Sequence, residues 1–140
     1  MELKLPICTG AFESTLVAKE NWDGLAVGTA LAGCLLIIGE NVCGMDPETR
    51  YTNGMIVHSP ELERRVKRFR EFWDEKYGHV VIQTNIEDQR TGVDIYAISK
   101  LEINIIKRGQ GAKAIGGEVR IKICKRHYVK ETWIPCHSRS

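Results

Sequence analysis

Three short stretches of this chain place polar or glycine-rich groups directly after apolar runs. They are "GENVCG" after Cys34–Ile38, "QTNIED" closing the run that begins at His79, and "KRGQGAK" after 103–107. Gln83 and Asn85 carry amides that both donate and accept, so they suit the edge of a planar heterocycle. Lys107 ends an apolar run, and an ammonium at the rim of a sheet needs an anionic or electron-rich partner. A flavin ring gathers negative charge at its N1/O2 edge on reduction, and such a lysine would stabilise it. Gly109, Gly111, Gly116 and Gly117 would let the backbone approach a ligand closely. Lys113 and Glu118 would then meet a small anionic substrate. The same loop also reads as an ordinary turn between a strand and a helix. It is neither a P-loop nor a dinucleotide fingerprint, because GxxxxGK[ST] is absent and G-Q-G-A-K-A does not fit GxGxxG.

The elements that must carry these groups alternate. Asp23 is expected to cap a helix through "GLAVGTALAG", ending near Gly33. "CLLII" (34–38) reads as a strand buried on both faces, and 39–54 as a loop. Ser59 and Pro60 open a helix expected over 59–78, with Leu62, Val66, Phe69 and Trp73 on one face and a solvated charged face opposite. "HVVIQTN" (79–85) reads as a second buried strand and 87–101 as one helix. The stretch 103–107 is a third strand and 118–124 a further one with one wet face. Such alternation implies βαβ units and a parallel sheet, with ligands at the carboxyl ends of the strands.

The bulk numbers fit one domain: 140 residues, 43% hydrophobic and 27% charged. No apolar run is long enough for a transmembrane helix, and no signal peptide is apparent. Five cysteines at uneven spacing, with no C-x-x-C, point to reduced thiols and a cytoplasmic protein. Cys43 reads as either a reactive thiol or an inert one. Cys124, His127, Cys136 and His137 have irregular spacing for zinc, so no metal site is assigned. Residues 1–119 hold 14 basic and 17 acidic side chains, whereas 120–140 hold 6 basic and one acidic. The basic tail lacks the interleaved aromatics of a nucleic-acid surface.

"GQGAK" followed by "GGE", together with "TGAFEST", "NWDGLAVGTALAG", "GENVCGMDPE", "SPELERRVKRF" and "VVIQTNIEDQRTGV", resembles the FMN-binding domain of glutamate synthases, in its archaeal-type form. The resemblance runs from Pro6 to Ile121. It implies part of an FMN-dependent (β/α)8 barrel, three to four βα units, in which an imine of 2-oxoglutarate and ammonia is reduced to glutamate. Carried over by motif, Thr9, Gly10, Glu40, Asn41, Gln83, Asn85, Lys107, Gly109 and Gln110 would line the flavin. Lys107, Lys113 and Glu118 would act in catalysis, with Lys113 pairing a carboxylate of 2-oxoglutarate. Arg108 departs from the family, which has an apolar or aromatic residue before "GQGAK", and "KLEINIIKR" is about two residues short. The pattern stops at Ile121, so 1–121 is expected to be a partial FMN domain and 122–140 a tail, consistent with a truncated, split or frameshifted coding region. The late strands and the iron–sulfur cysteines of full-length members have no counterpart in the sequence. A fragment of this kind is expected to be inactive alone and to need a second polypeptide to complete the barrel. The alternative is a non-catalytic binding module that docks a partner through its basic tail.

Overall fold

The computed structural model describes residues 2–109. The first element, β1 (Cys8–Phe12), is a strand where the sequence pattern shows none. Its Gly10-Ala11 stretch has weak strand propensity, and its pairing is irregular between Cys8 and Ala11. There the Thr9 hydroxyl takes the Ile37 N–H at 3.0 Å, a side chain standing in for a ladder carbonyl.

Helix α1 spans Leu16–Ala32, starting well before Asp23. Thr15 is the true cap, its Oγ1 accepting the Ala18 N–H at 3.2 Å. Asp23 lies mid-helix and pairs with Arg64 at 3.0 Å instead. Gly33 ends the helix as expected, in the left-handed conformation with φ 65°. Trp22, Ala26 and Ala30 form the buried stripe, and the two alanines let α1 lie close to its neighbours.

Strand β2 (Leu35–Ile38) and strand β5 (His79–Thr84) are the two buried strands read from the sequence. Between β2 and the next long helix, the expected loop contains a single helical turn and a hairpin. These are α2 (Val42–Met45), β3 (Arg50–Thr52) and β4 (Met55–His58), with Asn53 and Gly54 both at positive φ in the turn.

Helix α3 runs only over Pro60–Arg70. Leu62, Val66 and Phe69 are buried as the spacing requires, whereas Trp73 falls past the helix end and donates its indole N–H to the Tyr77 carbonyl at 2.9 Å. Ser59 holds the cap position without using its side chain; the Asp46 carboxylate accepts the Glu61 N–H instead, at 3.1 Å. The charged face is not wholly solvated, because Arg65 is buried.

The helix expected over 87–101 is two: α4 (Ile86–Arg90) and α5 (Val93–Leu101). Gly92, at φ 72°, makes the break. Strand β6 is Ile106–Arg108, starting later than expected because Ile103 turns into the core and its N–H bonds Ala97. The strand expected at 118–124 and the tail lie outside the described residues.

The fold is α/β. Its main sheet is parallel, in the order β1-β2-β5-β6, and β3-β4 form a separate antiparallel pair. Partners in a parallel ladder share a face. Leu36 pairs with Val80 and Ile38 with Ile82, and this face packs with Trp22, Ala26, Val66, Phe69 and Tyr96 in the core. Ile37 pairs with Val81 and Gln83 with Lys107 on the opposite face. Among the described residues, no helix is long and apolar enough to cross a membrane.

Candidate functional site at the strand ends

The carboxyl ends of β2, β5 and β6 converge on a small polar cluster. Glu40 follows β2 and is buried at 7% exposure; its Oε2 accepts the Gln83 Nε2–H at 2.8 Å. Gly109 closes β6, donating its N–H to the Thr84 carbonyl at 2.8 Å. A Cβ added to Gly109 would stand 2.2 Å from Glu40 Oε2 and 3.1 Å from Gln83 Nε2. Only glycine lets the chain pass this close to the pair. Lys107 is in register with Gln83, on the same face, and is solvent-exposed. Glu40, Gln83, Lys107 and Gly109 are therefore brought together.

The other expected site residues within 2–109 are engaged within the protein, apart from Gly10. Asn85 caps α4, accepting the Asp88 N–H at 2.9 Å, and its Nδ2 donates to Asn41 Oδ1 at 2.8 Å. Both asparagines are buried. The Thr9 hydroxyl is engaged in the sheet. Gly10 is exposed, with open space where a Cβ would stand. Cys43 is buried in the core. Gln110, Lys113 and Glu118 lie outside the described residues, as do Cys124, His127, Cys136 and His137. Among the described residues, no cluster of His, Cys, Asp and Glu is arranged to hold a metal ion.

Two acids at the strand ends escape motif reading. Glu13 follows β1, and burial together with the nearby Glu40 carboxylate pushes its carboxyl above the usual range. Asp88 is 3% exposed and ties the loops after β2 and β5, accepting from the Asn41 N–H at 3.1 Å and the Asn85 N–H at 3.2 Å. Burial pushes its pKa up to about 6; the two N–H bonds oppose this, and the charges of Glu40 and Glu87 add to it. The Asn85–Asp88 capping box was available as a sequence signal. Glu13 had none.

The Asp88 shift has a measurable consequence. The folded chain holds this proton more tightly than the unfolded chain, so between about pH 4 and pH 6 the folded state binds more protons and gains stability as pH falls. Above pH 6 the ionised carboxyl costs on the order of 2–3 kcal/mol. Asp88→Asn is expected to remove that part of the pH dependence. The check is the wild-type minus variant difference in melting temperature at pH 4.5 and pH 7.5; an identical difference at both would contradict the assignment.

A second concavity, an open groove of 760 Å³, runs between α3 and α5 and is lined by His58, Glu63, Lys67, Arg70 and Lys100 among others. Comparison with family models, with curated proteins and with solved structures yields no match for the chain.

Proposed function

We propose that this chain carries the strand-end part of an FMN site in a partial (β/α)8 barrel of the glutamate synthase type, serving the reductive amination of 2-oxoglutarate to glutamate. One observation carries the reading: Gln83 and Lys107 stand side by side in register, where Gly109 closes onto Glu40 and Gln83. The strand order supports the barrel part. Consecutive parallel strands are neighbours throughout, as in a (β/α)8 barrel and unlike the reversed order of a doubly wound sheet. Among the described residues, β1 and β6 each pair on one side only, so closure would take further strands, whichever polypeptide carries them.

The donor set fits one edge of the flavin ring. Glu40 accepts one N–H of the Gln83 amide, which orients the amide and leaves its second N–H and its carbonyl for a heterocycle edge. Lys107 adds a positive charge beside it, favouring the form of the ring that carries negative charge. FMN, when bound, would supply the hydride for the imine. Asn41 and Asn85 already bond each other between two loops, and the Thr9 hydroxyl is engaged in the β1–β2 pairing.

The test is to titrate the chain with FMN, alone and co-expressed with the reading frame that follows it. Lys107→Ala is expected to weaken binding about tenfold or more, the effect of losing one charge-assisted contact. No retained flavin in either preparation, or equal affinity for the variant, would overturn the reading.

A further inference from the structure

Arg65 is more deeply buried than Glu40, Asp46 or Asp88, at 1% exposure. Its Nε donates to Glu61 Oε1 at 2.9 Å, and its Nη1 donates to two backbone carbonyls, Phe12 and Glu13, each at 3.0 Å. The guanidinium lies 4.7 Å from the centre of the Trp22 ring, and the Trp22 indole N–H donates back to the Arg65 carbonyl at 3.1 Å. An arginine buried this way is expensive unless its donors are used. Here Nε is held by Glu61 of the same helix, and Nη1 is spent on the carboxyl end of β1.

That end of β1 touches the strand-end site. The Phe12 carbonyl also accepts the Gly39 N–H at 2.8 Å. A Cβ on Gly39 would stand 2.7 Å from the Glu13 nitrogen and 2.8 Å from the Phe12 carbonyl carbon. Both are backbone atoms with little freedom to move. Glu40 is the next residue, and its carboxylate orients Gln83. We infer that Arg65 is a positioning residue for the strand-end site: it clamps the carboxyl end of β1 against Gly39 and so sets where the Glu40 carboxylate stands. Its link to flavin binding rests on the function proposed above; the clamp itself rests on the geometry alone.

The experiment measures amide hydrogen exchange and FMN affinity in the full chain and in Arg65→Met and Arg65→Lys. Methionine fills the space without donors, and lysine keeps the charge with fewer donors. In Arg65→Met the Gly39 amide is expected to exchange about tenfold faster or more, the effect of losing charge-assisted bonds that fix its acceptor. The Ile82 amide, which donates to the Ile105 carbonyl, is expected to keep its wild-type rate. Arg65→Lys should fall between, and FMN affinity should drop in the same order. An unchanged Gly39 rate in either folded variant overturns the assignment. So does equal acceleration at Gly39 and Ile82, which would make Arg65 merely structural, and so does failure of both variants to fold. If the wild-type chain takes up no FMN, the flavin reading fails while the Gly39 rates still decide the clamp.

Discussion

Trp22→Ala is expected to lower the stability of the fold by about 3–5 kcal/mol, the range for truncating a large buried aromatic. Trp22 is completely buried in α1 and joins the cluster that contains Val66 and Phe69 of α3. Two further losses accompany the cavity. The Arg65 carbonyl loses its indole donor, and the Arg65 guanidinium loses the ring over which it lies. Marginal stability makes such a loss a large share of the whole. The melting temperature of a chain this size should fall by roughly 10–20 °C. Thermal and urea unfolding of the variant measure this directly. A loss below about 1 kcal/mol would mean that α1 is not held to α3 through this residue.

Gly109→Ala is expected to separate fold from site. The new methyl would sit 2.2 Å from Glu40 Oε2, so something must move. The obstructing atom is the tip of a side chain, not backbone, so Glu40 can swing away at modest cost to the fold. In doing so it releases Gln83, whose orientation depends on it. The melting temperature should change by only about 1–3 °C, while FMN affinity falls about tenfold or more through the lost charge-assisted orientation. Gly28→Ala is the control. Gly28 lies in α1, and nothing stands within 4 Å of its added Cβ. Its affinity should match wild type. Equal FMN affinity in Gly109→Ala and wild type would remove Gly109 from the site.

What could be read in advance divides along physical lines. The strands at Leu35–Ile38 and His79–Thr84 were legible because both of their faces are buried, which leaves unbroken apolar runs. The face of α3 was legible because Leu62, Val66 and Phe69 recur at helical spacing. β1 was not, because a glycine stands at its centre and a threonine hydroxyl does part of its pairing. The start of α1 was assigned to Asp23 because an acidic residue before an apolar run is a good cap; Thr15 serves equally well and lies eight positions earlier. The break at Gly92 was missed because 87–91 holds no apolar residue, so the spacing of Val93, Tyr96, Ala97 and Leu101 carries no signal at the glycine.

The site shows the same division. Glu40, Gln83 and Lys107 stand out in the sequence because polar groups at the ends of buried strands have no role in packing, and Gly109 because glycine lets the backbone approach closely. Asn41 and Asn85 carried the same signal, yet their amides hold loops together. Arg65 looked like one member of a charged run. Its partners are the carbonyls of Phe12 and Glu13, 53 and 52 positions away, and no local pattern reveals a contact at that range. Glu13 gains its significance only when β1 and β2 come together at Gly39.

Under the proposed function, FMN meets this chain at the carboxyl ends of β5 and β6. The most direct measurement is a nuclear magnetic resonance titration of the isotope-labelled chain with FMN, following the Gln83 side-chain amide and the Gly109 backbone amide. These two signals are expected to move first and together, with no change at Lys67 and Lys100 in the groove between α3 and α5. Flavin-induced shifts confined to that groove, or none at Gln83 and Gly109 at saturating FMN, would contradict it.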